Sequence, residues 1–199
     1  MNLFNYDPAL NLLPCDGEVN CFGNIFSVRE SELYLQGLLN NIEWKNDEVI
    51  IYGKHITTKR KVAWYGDNNF AYRYSNITRH ALCWTKELLT LKAIVESHTN
   101  VTYNSCLLNL YHNGDEAMSW HCDDESTLGK NPNIASLSFG AERKFSLKHK
   151  TSKQTVSLLL EPGTLLVMKG TTQNNWLHCL PKMKNIPSPR INLTFRTFG

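Results

Sequence analysis

No two cysteines in this chain are spaced C-x-x-C, so neither a zinc ribbon nor a thioredoxin-like redox site is written in it. The six cysteines, Cys15, Cys21, Cys83, Cys106, Cys122 and Cys179, are scattered, and in a reducing compartment the expectation is free thiols. No stretch approaches the roughly 18 uninterrupted apolar residues that a membrane-spanning helix needs. The opening MNLFNYDPALNLLPCDGE has no early Lys or Arg and mixes acids with its apolar residues, unlike a secretory leader. Internal repeats, low-complexity tracts and linkers rich in Gly, Ser or Pro are also missing. What is present is an ordinary globular composition: 199 residues, 42% hydrophobic, 11% aromatic and only 20% charged, outside the disordered, collagen-like and coiled-coil ranges. One structural unit is expected, in the cytoplasm of a bacterium or the nucleus of a eukaryote.

The net charge of +3 is unevenly spread. Between Tyr52 and Arg79 stand Lys54, Lys59, Arg60, Lys61, Arg73 and Arg79 against the single acid Asp67, and Arg143, Lys144, Lys148, Lys150 and Lys153 form a second basic run. Two basic segments on a nearly neutral chain predict a localised polyanion-binding face.

Helical spacing appears twice in the first half. Ser27 with Glu30 three residues on reads as a capping box before Leu35, Leu38, Leu39 and Ile42, and Leu88, Leu91, Ile94 and Val95 predict a second helix over 85–97. After residue 100 the texture turns to short strands: SCLLNLY, IASLSF, KFSLK and TVSLLL, each bounded by a turn signal. The segments FGAE at 139–142 and EPG at 161–163 read as hairpin turns. Regular short strands predict a sandwich or barrel.

His121-Cys122-Asp123 places an imidazole and a carboxylate two residues apart, on one face of an extended strand. Alone, such a tripeptide is commonplace. Downstream stand His178 in NNWLHCLP and then RINLTFR, where Arg190, Asn192, Thr194 and Arg196 share one face of a strand and Ile191, Leu193 and Phe195 the other. Two His and one carboxylate on one face of an octahedral metal leave three positions open, which suits non-haem Fe(II) and oxygen chemistry. A planar arginine fork is a natural anchor for the far carboxylate of a keto acid.

With these segments together the chain resembles the AlkB family of Fe(II)- and 2-oxoglutarate-dependent dioxygenases, most of all its duplex-acting DNA-repair members. The resemblance runs from about Tyr52 to Phe198, through NLYHNGDEAMSWHCDDE, PNIASLSFGAERKFSLKHK, LLLEPGTLLVMKG, NNWLHCLP and PRINLTFR. It implies a mostly β fold with flanking helices: a double-stranded β-helix, or jelly roll, over 101–199. Residues 1–100 would be a nucleotide-recognition extension with a lid at about 50–80. His121, Asp123 and His178 become the iron ligands and, with Arg196, the catalytic group. Asn109, Tyr111, Arg190, Asn192, Thr194 and Arg196 would bind 2-oxoglutarate, Arg190 taking its C5 carboxylate. Asp124 and Glu125 look like base-facing acids, and Cys122 and Cys179 like spacers pointing off the metal.

The same resemblance implies DNA, or RNA, carrying 1-methyladenine or 3-methylcytosine as substrate. Demethylation would be oxidative, using Fe(II), O2 and 2-oxoglutarate and releasing succinate, CO2 and formaldehyde, with a monomeric enzyme. Tyr52-Gly53-Lys54 falls at the family's hairpin tip that probes the base stack, and Tyr72 and Tyr74 alternate toward the pocket, Tyr74 stacking on the flipped base. Trp64, Tyr65 and Phe70 read as further stacking faces among cations that neutralise phosphate. A protein or small-molecule hydroxylase on the same fold is the alternative, and it leaves the charge at 54–79 without a role.

Overall fold

Ser27 opens the first helix, α1 (Val28–Asn41), through a complete capping box. Its hydroxyl accepts from the Glu30 N–H at 3.2 Å, and its own N–H donates to the Glu30 carboxylate at 2.8 Å. Leu35 and Leu38 on the helix and Ile42 at its C-cap are buried, as the spacing predicts. The computed structural model describes residues 6–51, 54–74 and 77–199, and of 49–51, 54–56, 72–74 and 77–79 only the backbone. The second helix, α2 (Lys86–Thr99), is capped by Thr85 and ends at Asn100 in the left-handed region; it buries Leu88, Leu91 and Val95.

The strands run in the order β1 (Glu18–Asn24), β2 (Lys45–Ile51), β3 (Lys54–Gly66), β4 (Ala71–Tyr74), β5 (Ile77–His80), β6 (Leu82–Cys83), β7 (Ser105–Tyr111), β8 (Met118–His121), β9 (Ile134–Gly140), β10 (Arg143–His149), β11 (Thr155–Leu160), β12 (Thr164–Lys169), β13 (Trp176–Leu180) and β14 (Arg190–Arg196), with a single-turn helix α3 (Thr172–Asn175) before β13. From β7 onward they divide between two antiparallel sheets, β12-β9-β14-β7 and β11-β10-β13-β8, the sandwich that the strand spacing predicts, in the jelly-roll form that the resemblance implies. The first sheet is extended by β1 beside β12, and by β3 and then β2 beside β7.

The two turns read as hairpins are corrected. β9 pairs with β12 and β14, whereas β10 pairs with β11 and β13, so residues 139–142 carry the chain from one sheet to the other. Residues 161–163 do the same between β11 and β12. The turn chemistry is as expected, but the partners differ. At the first corner Gly140 has φ +81, and a Cβ there would lie 2.3 Å from the Pro189 carbonyl oxygen.

Alternation along β14 divides its residues between core and cavity. Ile191, Leu193 and Phe195 face α1 and α2 in one apolar cluster with Leu108, Leu137 and Phe139. A second cluster, including Ile134, Leu147, Leu166 and Trp176, joins residues of both sheets. Each such aliphatic or aromatic side chain contributes about 1.5–3 kcal/mol when fully buried. Among the described residues no helix is long and apolar enough to cross a membrane.

Candidate metal and cosubstrate site

The polar face of β14 lines a cavity of about 1120 Å³ between the sheets, shared with Asn109 and Tyr111 of β7 and with His121 and His178. Register brings the two histidines together: in the β8–β13 pair His121 stands opposite His178. Asp123 lies just past the end of β8 rather than on it, yet its Oδ1 is 3.8 Å from His121 Nε2 and 4.0 Å from His178 Nε2. One donor atom from each of the three residues lies within 4.8 Å of the others.

Three contacts hold these donors in place. His121 Nδ1 is 2.8 Å from the Ser119 carbonyl oxygen, which can only accept; the proton therefore sits on Nδ1 and the Nε2 lone pair faces Asp123. The Asp123 backbone N–H donates to buried Gln173 Oε1 at 2.9 Å. Arg196 Nη2 donates to Asp123 Oδ2 at 2.7 Å, leaving Oδ1 toward the imidazoles. Burial works to raise the Asp123 pKa, but Arg196, His178 and His121 outweigh it and hold the carboxyl below its usual value. Burial drives His178 down to about 4, so it is neutral and able to ligate.

At the far end of the cavity Arg190 is 2% exposed and has no carboxylate among its described partners. Its Nη2 donates to Ser138 Oγ and to Asn192 Oδ1, both at 2.9 Å, and its Nε is buried without an acceptor. Burial lowers its pKa to about 10, with Tyr111 raising it and Arg143 lowering it further. A buried guanidinium with an unused donor is a site awaiting an anion. Thr194 accepts from Asn192 Nδ2 at 3.0 Å, and Ser136 Oγ donates to Asn192 Oδ1 at 2.9 Å, which fixes the row. A His, Asp, His donor set and a buried arginine in one cavity fit Fe(II) and a dicarboxylate keto acid.

The two acids expected to face the base differ. Asp124 is exposed and accepts from Cys122 Sγ at 3.2 Å, whereas Glu125 is half-buried, lies 3.9 Å from Arg196 Nη1 and keeps Oε2 buried without a donor. Burial pushes the Glu125 pKa up, against the pull of Arg196. Tyr52 and Gly53 lie outside the described residues. Lys54 is placed on β3 and Tyr72 and Tyr74 on β4, by backbone alone.

The basic runs are less uniform than their sequence suggests. Arg60 is 8% exposed and ion-paired with Asp47, so it is not presented to solvent as a phosphate contact would be, whereas Lys59 is exposed. Arg143 is 1% exposed and donates to the carbonyls of Asn113, Glu116 and Pro181, while Lys150 donates to Cys122 Sγ and to the Gln173 carbonyl. The aromatic faces are also engaged: Trp64, Phe70 and Phe198 pack on one another, and Tyr65 is 2% exposed. Sequence reasoning passes over Gln173, Ser136 and Ser138, although the last two alternate in IASLSF and stand beside Thr194 and Asn192 on the polar face of the sheet.

A second grouping, Cys15, Asp16 and His149, has donor atoms equally close. There His149 Nδ1 accepts the Ser152 backbone N–H at 3.0 Å, so neutral His149 carries its proton on Nε2, 3.3 Å from Asp16. That proton occupies the position a metal would need.

Residues 18–196 match the family model described as the 2OG-Fe(II) oxygenase superfamily. Alpha-ketoglutarate-dependent dioxygenase alkB homolog 3 of Homo sapiens is 41% identical over 180 residues, 85% of this chain and 62% of that protein. DNA oxidative demethylase ALKBH2 of Homo sapiens is 35% identical over 183 residues, covering 86% and 70%, and that of Mus musculus is 34% identical over 195 residues, covering 92% and 80%. The chain thus spans 62% of the length of the human alkB homolog 3. The solved structure of OsALKBH1 has the same fold, with a TM-score of 0.63 at 13% identity over 93% of this chain and 98% of that one. A matching family model across both sheets, and relatives of which it covers more than two thirds, establish that this chain belongs to the AlkB family of 2OG-Fe(II) oxygenases.

Proposed function

We propose that the chain is an oxidative demethylase of N-alkylated nucleobases, 1-methyladenine and 3-methylcytosine, in DNA, acting as a monomer in direct-reversal repair. The observation that carries this reading is the cavity itself, with the His121, Asp123 and His178 donors at one end and the anion-seeking Arg190 at the other. The name of ALKBH2, DNA oxidative demethylase, supports the substrate class.

In this reading His121, Asp123 and His178 hold Fe(II), and Arg190 takes the far carboxylate of 2-oxoglutarate with Asn109, Tyr111, Asn192 and Thr194 around it. The chemistry supplied by bound Fe(II), O2 and 2-oxoglutarate is oxidation of an N-methyl carbon, with succinate, CO2 and formaldehyde as products. Arg196 keeps Asp123 charged and in one rotamer, so the carboxylate is ready to ligate without reorganising. Glu125, with a free buried oxygen at the cavity mouth, accepts from the exocyclic amino group of the base. Residues 1–100 serve as the recognition extension, with Tyr52, Gly53 and Lys54 wedging the stack and Tyr72 and Tyr74 receiving the base. A methylated Watson–Crick nitrogen already weakens pairing, which lowers the cost of flipping.

The test is a mass assay on oligonucleotides carrying one 1-methyladenine, as single- and double-stranded DNA and as RNA. Loss of one methyl group that needs iron and 2-oxoglutarate supports the reading and ranks the strands. Succinate formed with every methyl group retained contradicts it and redirects the search to protein or metabolite substrates.

A further inference from the structure

Tyr111 is surrounded by three guanidinium groups: the central carbons of Arg190, Arg143 and Arg60 lie 5.7, 5.9 and 6.0 Å from its ring centroid. Like charges this close repel unless each is compensated. Arg143 is compensated by backbone carbonyls, and Arg190 faces the cosubstrate end of the cavity. Arg60 comes from elsewhere, on the strand that enters from the recognition hairpin.

The local backbone explains how it reaches the cavity. Pairing between β2 and β3 runs Lys45↔Val62 and Asn46↔Lys61, then resumes two residues out of step at Glu48↔Thr57. Asp47 on one strand and Thr58, Lys59 and Arg60 on the other occupy the irregularity, and Thr58 Oγ1 bridges it by donating to the Arg60 carbonyl at 3.0 Å. Arg60 lies in two-residue period with Val62 and Trp64 of β3, and Asp47 with Lys45 of β2, and all of them line the cavity. Asp47 and Arg60 are 5% and 8% exposed, form an ion pair, and both line the cavity with Tyr111 and Met118, whose sulfur is 2.9 Å from Arg60 Nη1.

We infer that Asp47 and Arg60 are positioning residues for 2-oxoglutarate: the Asp47 carboxylate neutralises and fixes the Arg60 guanidinium against Tyr111, which is thereby presented to the cosubstrate in one orientation. The inference rests on the reading of Tyr111 as a 2-oxoglutarate contact. It makes the β2–β3 hairpin part of the cosubstrate site as well as of nucleic-acid recognition. Asp47 matters as much as Arg60, because without it the cavity gains an uncompensated buried cation beside Arg190.

Binding of 2-oxoglutarate to the Mn(II)-loaded protein, measured by calorimetry without turnover, tests this. Arg60→Gln, Asp47→Asn and Tyr111→Phe should each weaken 2-oxoglutarate binding by about 3- to 10-fold, the range of one lost hydrogen bond, with Mn(II) affinity unchanged. The double variant Arg60→Gln/Tyr111→Phe should be little worse than the poorer single one, because the two act as a unit. In turnover the KM for 2-oxoglutarate should rise with kcat nearly constant, and Arg60→Lys should restore part of the loss. Wild-type affinity in Arg60→Gln and Asp47→Asn, or effects of Arg60→Gln and Tyr111→Phe that simply multiply, would overturn the inference. If Arg60→Gln does not fold, Asp47→Asn, which changes charge and not shape, decides. Failure of the wild-type Mn(II) protein to bind 2-oxoglutarate contradicts instead the underlying reading of the site.

Discussion

His178 on β13 stands opposite His121 on β8, and their imidazole centroids are 4.2 Å apart. A strand pair thus fixes the two nitrogen donors, and only Asp123 depends on a loop, where Gln173 and Arg196 restrain it. This division makes Asp123 the sensitive member. Anything that binds the folded state alone raises its stability by mass action. Mn(II) should therefore raise the melting temperature of the wild-type protein, and Asp123→Ala should abolish that rise while still folding. A Mn(II) shift that survives in Asp123→Ala would place the metal elsewhere.

Burial holds His178 near pKa 4, with Asp123 pulling it up and His121 and Arg196 pushing it down. In the unfolded chain an ordinary histidine titrates near 6.5, so between about pH 6.5 and 4 the unfolded state holds a proton that the folded state lacks. The metal-free protein should accordingly lose stability as pH falls through this window, by on the order of 3 kcal/mol. Urea denaturation at the two ends of the window measures the slope. His178→Gln should flatten it, and equal slopes in the two proteins would contradict the assignment.

Arg190 offers a two-sided prediction. Removing a buried guanidinium that has no carboxylate partner among the described residues should leave the ligand-free protein as stable as before or more so, since an uncompensated buried charge is costly. The same Arg190→Met variant should raise the 2-oxoglutarate KM by about 10- to 100-fold, the range of a lost charge-assisted hydrogen bond. Paired melting and kinetic measurements check both halves. Strong destabilisation with an unchanged KM would make Arg190 a structural residue.

The α1 cap supplies the contrasting case. Ser27→Ala removes the hydroxyl that accepts from the Glu30 N–H, the side-chain half of the capping box, and should cost about 1 kcal/mol in chemical denaturation. Because α1 packs on the face of the first sheet opposite the cavity, the 2-oxoglutarate KM should stay at its wild-type value.

Elements whose two faces carry opposite chemistry are legible in the sequence. β14 alternates arginine and amide with isoleucine and phenylalanine, and its polar row lies where the period places it. Ser27 and Thr85 mark both helix starts, and the SCLLNLY strand has the expected bounds. Strand partners are not legible, because Gly140 and Gly163 supply the same left-handed turn whether the chain folds back on its own sheet or crosses to the other. The burial of Arg60 and Arg143 is hidden for a related reason. Their compensating groups, Asp47 across a bulge and the carbonyls of Asn113, Glu116 and Pro181, are remote in sequence. Trp64 and Phe70 likewise look like free stacking faces until Phe198, from the far end of the chain, closes over them.

In the proposed function this cavity couples oxidation of 2-oxoglutarate to removal of a methyl group from a nucleobase. The most direct measurement follows formaldehyde and succinate together while the Fe(II)-loaded protein acts on an oligonucleotide carrying a single 1-methyladenine. Equal yields of both products are expected, each matched by one base restored, and neither product from Asp123→Ala. Succinate without formaldehyde, at a rate indifferent to the methylated base, would contradict this function.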